Sequence, residues 1–119
     1  MLAEGFGFEE RAAQWVEAQG WLILQRNYRC KLGEIDIIAE DKGQLVFIEV
    51  RARSNLRFAS AAASVDRRKQ QKLLRTAALY LRTAGRGQHL SCRFDVIAFE
   101  PRQSGQDVEP RWIRSAFTA

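Results

Sequence analysis

The stretch GEIDIIAEDKGQLVFIEVRAR, residues 33–53, decides how the rest of the chain is read. Its two halves, GEIDIIAE and QLVFIEVRAR, are apolar runs rich in β-branched residues, and the turn residues DKG separate them. That pattern indicates two strands joined in a hairpin. Closing the loop about Lys42 and Gly43 sets a register in which Ile37 faces Ile48 and Ile35 faces Val50, giving one wholly apolar face. The other face then pairs Asp36 with Glu49 and Glu34 with Arg51. Directly opposed residues hold their Cβ atoms roughly 4.5–5.5 Å apart, and like charges there are destabilising. A bulge at Gly43 would shift the pairing by one, but the apolar face is complete only in this register.

Two carboxylates so placed do not both stay ionised without compensation. Either one pKa rises or a cation lies between them. A hard divalent ion with oxygen ligands, Mg²⁺ or Mn²⁺, is the natural occupant. Such an ion activates water and neutralises charge on a phosphate oxygen. Arg51, two residues beyond Glu49, points to the same side and would meet the phosphate or its attacking water. The plainer alternative is structural, with Glu34 and Arg51 as an ordinary cross-strand ion pair and Arg53 or Arg29 neutralising Asp36.

Around the hairpin, FGFEERAAQWVEAQG carries Phe8, Ala12, Trp15 and Val16 at helical spacing and ends at Gly20, a C-cap residue. WLILQRNYRC follows as a strand. A looser stretch, SNLRFASAAAS, leads into the helix VDRRKQQKLLRTAALYLRTAG, with the apolar stripe Leu73, Leu74, Ala77, Ala78 and Leu81 and a stop at Gly85. SCRFDVIAFE is a fourth strand, PRQSGQDVEP a polar loop, and RWIRSAF a short closing strand. The order α-β-β-β-α-β-β implies an α/β domain, a central mixed sheet flanked by helices. A chain of 119 residues is read as one domain over residues 1–119.

Composition narrows the chemistry. There are 19 Lys and Arg against 14 Asp and Glu, a formal charge of +5, which tilts the partner toward nucleic acid or another anionic surface. No segment reaches membrane-spanning length and the N-terminus lacks a signal-peptide pattern, so no membrane partner is expected. Cys30 and Cys92 belong to no CxxC motif, which suits a reducing cytoplasm. With one histidine, His89 in a Gly-rich loop, neither a zinc site nor a Ser-His-Asp apparatus is expected.

An acid on one strand followed about a dozen residues later by Glu-x-Lys resembles the layout of the restriction-endonuclease-like, PD-(D/E)xK nuclease superfamily. More closely, residues 33–53 resemble the GEID…FVEVKxR core of the YraN-like family of endonuclease-related proteins. The likeness extends to GFGFEERAAQWVEAQGW, VDRRKQQKL, CRFDVIAF and WIRSAF, nearly the whole chain. It implies a restriction-endonuclease-like fold, with Asp36 and Glu49 as the metal-binding pair and Arg51 in the place of the family's lysine. It also implies a further acid, Glu9, on the first helix, and auxiliary catalytic groups at Lys69 and Gln70 on the second. Ile35 replaces the superfamily's proline. Phe8 stands where a small residue is expected and would crowd the approach of Glu9.

Arg51 is the main departure. Lysine is a compact charge able to orient or deprotonate water, whereas arginine stays protonated and offers a planar fork suited to gripping phosphate. An electrostatic role survives the exchange and a general-base role does not, unless the second helix brings Lys69 near. Arg67, Arg68, Lys69, Lys72 and Arg75 form the densest basic stretch. Together with Arg51, Arg53 and Arg57 it would track a phosphate backbone, although a solvated helix face looks the same. Asp95 is read as an anchor of the fourth strand, and Trp15 and Trp21 as core. The expected function is a Mg²⁺- or Mn²⁺-dependent endonuclease on branched or single-stranded DNA, with DNA favoured over RNA. A homodimer is left open, because a branched substrate needs two sites. The alternative is a non-catalytic nucleic-acid-binding module with a degenerate nuclease site.

Overall fold

The computed structural model describes residues 4–52, 61–84, 91–101 and 108–117. Arg53, Arg57, Gly85 and His89 lie outside them. The elements are α1 (Glu4–Ala18), β1 (Leu22–Cys30), β2 (Gly33–Asp41), β3 (Gln44–Ala52), a short 3₁₀ turn (Ala62–Ser64), α2 (Arg67–Thr83), β4 (Cys92–Pro101) and β5 (Val108–Phe117). The order is the expected one. The closing strand is longer than expected, taking in Val108–Pro110 from the segment read as loop.

One mixed sheet of five strands runs β1-β2-β3-β4-β5. Only β3 and β4 are parallel, and α2 supplies the crossover such a pair needs. The β2–β3 turn has positive φ at Lys42 (50°) and Gly43 (86°), the pattern of a tight I′ hairpin, and the ladder includes Asp41↔Gln44, Ile38↔Phe47 and Ile37↔Ile48. This is the register read from the sequence.

The sheet carries a core on each face. On one, Ala12, Ala13 and Val16 of α1 pack against Ile37, Val46, Ile48 and Phe99. On the other, Leu73, Ala77 and Tyr80 of α2 pack against Ile38, Leu45, Phe47 and Phe94. The pairing of Ile35 with Val50 on one face is corrected: Ile35 belongs to the α2-side core, whereas Val50 packs against the α1 side. The stripe on α2 is also corrected. Its buried residues are Leu73, Thr76, Ala77 and Tyr80, and Ala78 is exposed. Thr76 is tolerated there because its hydroxyl donates to the Lys72 carbonyl at 2.8 Å.

Gly33 lets the start of β2 approach α2. A Cβ built there meets Thr76 Oγ1 at 2.9 Å, and the backbone φ is +156°. Gly33→Ala is expected to cost about 1–3 kcal/mol in urea unfolding. Adding Thr76→Ala should return part of that loss if the clash is its origin.

Candidate functional site

Below Ile37↔Ile48 the carboxylate of Asp36 turns into the gap between β2 and β3, where Oδ2 accepts the Val50 N–H at 2.8 Å. Glu49 projects beside it toward α2. Both are buried, Asp36 at 9% and Glu49 at 5% exposure, and the charge of Glu49 acts on Asp36. Burial, then the charge of Glu49, raises Asp36 from 3.8 to about 7, against the opposing Val50 N–H. Glu49 is raised by burial, with the Lys69 ammonium pulling the other way.

Two cations converge on Glu49. Lys69 Nζ lies 3.3 Å and Arg51 Nη1 3.6 Å from Oε2. The sequence left open whether α2 brings Lys69 to the site, and the fold does so. Helix α2 is started by Asp66, whose carboxylate accepts the Lys69 backbone N–H at 2.9 Å. Lys69 then lies on the same helical stripe as Leu73, Thr76 and Tyr80, aimed at the sheet.

Arg51 is tied down by groups the sequence did not flag. Its Nε donates to Ser64 Oγ at 2.9 Å, and that hydroxyl donates to the Ala61 carbonyl at 2.6 Å. Glu100 of β4 in turn accepts the N–H groups of Ala61 (2.7 Å) and Ala62 (3.0 Å). Strand β4 therefore fixes the 3₁₀ turn that positions Arg51. A carboxylate from one strand clasping two successive N–H groups of a remote turn leaves no sequence signal. Asp66 does, as a side-chain acceptor just ahead of a helix.

Asp36, Glu49, Val50, Arg51 and Lys69 line a cleft of about 230 Å³, which Glu9 and Glu34 also enter. Glu9 is raised by partial burial and then by the charge of Asp36. Among the described residues no three Asp, Glu, His or Cys side chains form a metal-holding cluster, and Glu9 lines the same cleft as Asp36 and Glu49. Glu34 is bound by Arg29 at 3.5 Å and not by Arg51, which corrects the cross-strand ion pair. Gln70 donates its amide to the Val65 carbonyl at 3.0 Å and is not among the cleft's lining residues. Arg67 and Arg68 are exposed on the first turn of α2, and Lys72 lines a neighbouring pocket. Phe8 stacks on Phe99 with ring centroids 4.9 Å apart, packing into the α1-side core.

The donor set suits a hard divalent cation. Two buried carboxylates, with Asp36 raised to about 7, offer oxygen ligands, and a cation would displace the proton that burial favours on Asp36.

A model described as "Uncharacterised protein family UPF0102" matches residues 8–99. A UPF0102 protein of Alcanivorax borkumensis is 45% identical over 109 residues, 92% of this chain and 86% of that one. One of Nitrosococcus oceani is 42% identical over 109 residues, again 92% and 86%. One of Klebsiella pneumoniae is 44% identical over 114 residues, 95% and 84%.

Proposed function

The chain belongs to the uncharacterised protein family UPF0102, the YraN-like family, and from that premise and the carboxylate cleft we propose a divalent-metal-dependent endonuclease acting on DNA. The observation that carries this reading is the buried Asp36–Glu49 pair with Lys69 and Arg51 on its rim. Asp36 and Glu49 would hold Mg²⁺ or Mn²⁺. When bound, such an ion lowers the pKa of a coordinated water and neutralises charge on a phosphate oxygen. The Val50 N–H fixes the orientation of Asp36. Lys69 holds its ammonium 3.3 Å from Glu49, a compact donor able to orient the attacking water. It supplies from α2 what Arg51 does not supply from β3. Arg51 steadies the scissile phosphate from the other side of Glu49. The unit that does this is the single restriction-endonuclease-like domain, and we place it in the cytoplasm, where its two cysteines stay as thiols.

One observation favours a second reading. Arg51 already bonds Ser64 and Glu49, so its fork is partly occupied by the protein itself. A non-catalytic nucleic-acid-binding module would keep that arrangement. A nuclease assay on single-stranded and branched DNA with Mn²⁺ separates the two. Cleavage that chelation stops is expected, falling about 10²-fold in Lys69→Met. Salt-sensitive binding with uncut DNA would assign the binding module instead.

A further inference from the structure

Beside the carboxylate cleft lies a second pocket, of about 360 Å³, between the β1–β2 turn and α2. Arg29 and Gly33 line it from the sheet, and Lys72 and Leu73 from the helix, while Glu34 and Lys69 form a wall common to both cavities. The two differ in charge. The cleft sets Glu9, Glu34, Asp36 and Glu49 against Arg51 and Lys69, an excess of acid that a divalent cation would cancel. The second pocket sets Arg29, Lys69 and Lys72 against Glu34, an excess of base. Glu34 is itself held by Arg29, 3.5 Å away, so the ammonium of exposed Lys72 and the outer side of exposed Arg29 face solvent across the opening. Leu73 gives an apolar floor.

We propose that this pocket is a nucleotide subsite. It receives the unpaired nucleotide next to the scissile phosphate, with that nucleotide's phosphate on Arg29 and Lys72, so the substrate is single-stranded where it crosses α2. The inference rests on the nuclease reading of the adjoining cleft and adds to it the form of the substrate. The volume falls within the range of small-ligand sites. A paired base enters such a recess only by leaving its stack, a cost that a single strand or a splayed junction arm does not meet. None of the lining residues is aromatic, so recognition depends on phosphate contacts and is sensitive to salt.

The test is binding, measured by fluorescence anisotropy with chelator present so that nothing is cut. The probes are a short labelled single strand and a duplex of the same sequence. The proteins are wild type, Arg29→Ala, Lys72→Ala and, as a control for a lost positive charge, Arg82→Ala in the last turn of α2. All three positions are exposed, and matching thermal unfolding confirms that the variants fold. Single-strand affinity is expected to fall about tenfold in Arg29→Ala and Lys72→Ala, with a salt slope shallower by about 0.7 for each phosphate that is no longer neutralised. Arg82→Ala is expected to bind as wild type, and the duplex to lose less than the single strand. An equal loss in Arg82→Ala, an equal loss for the duplex, or no loss in either pocket variant overturns the subsite. Because no metal or cleavage enters this readout, failure of the subsite is distinct from failure of the nuclease assay.

Discussion

Asp36→Asn is expected to act in two opposite directions, abolishing metal-dependent cleavage while stabilising the metal-free fold at neutral and higher pH. The first effect follows because a neutral amide replaces one of two charged ligands. A loss of at least about 10³-fold is expected, the scale of several kcal/mol of charge stabilisation. The second follows from linkage. The folded protein raises Asp36 from 3.8 to about 7, chiefly by burial and then by the charge of Glu49. A group raised on folding contributes stability that is complete below its unfolded value, near pH 4, and is lost as pH rises through its folded value, near pH 7. Across that window wild type should lose on the order of 3 kcal/mol relative to Asp36→Asn, which has no proton to give up at that position. Urea unfolding with chelator at pH 5 and pH 8 reads this directly. A difference between the two proteins that does not change with pH would mean that the pair is not strained by its own charge.

Asp95→Ala is expected to have the largest effect on folding. Asp95 is fully buried and accepts from Arg93 Nε (2.9 Å) and Nη2 (3.1 Å), from Trp112 Nε1 (2.9 Å) and from the Ser115 backbone N–H (3.0 Å). It sits where the β4–β5 register shifts between Phe94 and Val96, opposite Ser115 with its φ of 50°. Alanine leaves an indole N–H and a backbone N–H without their acceptor and strips a largely buried guanidinium of its carboxylate, leaving it the Gln44 Oε1 contact at 3.1 Å. Removing one partner of a buried ion pair costs about 3–5 kcal/mol, a large part of the total stability of a small domain. The expected result is a much lower urea midpoint, with Asp95→Asn intermediate because it keeps an acceptor for Trp112. A loss under about 1 kcal/mol would show that β5 is held by its apolar contacts alone.

The parts of the fold visible in the sequence are those set by local rules. The β2–β3 register follows from a two-residue turn at Lys42–Gly43 and an alternation that fails if slipped by one residue. The end of α1 follows from Gly20, whose φ is 86°. Periodicity misleads where tertiary contacts override it. Ile35 leaves the α1-side face because β2 turns at Asp36, where a side chain and not a strand takes the Val50 N–H. The stripe of α2 lies further round the helix than its apolar residues suggest, because Thr76 and Tyr80 are polar by type and buried in fact. Thr76 hides its hydroxyl on the Lys72 carbonyl, and Tyr80 packs edge-on against Tyr28 and Phe47.

That rotation bears on the site. It turns Lys69 toward Glu49 and leaves Gln70 bonded to the Val65 carbonyl. The carboxylate pair is legible in the sequence because both members lie on one hairpin. Lys69 is named in the sequence only through the family resemblance, and its approach to Glu49 is not legible there, because its place depends on how a distant helix packs.

The most direct test of the central claim is calorimetric titration of Mn²⁺ into wild type and Asp36→Asn at pH 6 and pH 8, each in two buffers of different ionisation enthalpy. If Asp36 and Glu49 hold the ion, wild type binds it with release of close to one proton at pH 6 and far less at pH 8, because the ion displaces the proton that Asp36, raised to about 7, still carries at pH 6. Asp36→Asn should show no saturable binding. Equal affinity in the two proteins, or wild-type binding without proton release at pH 6, would contradict the assignment of this pair as a metal site.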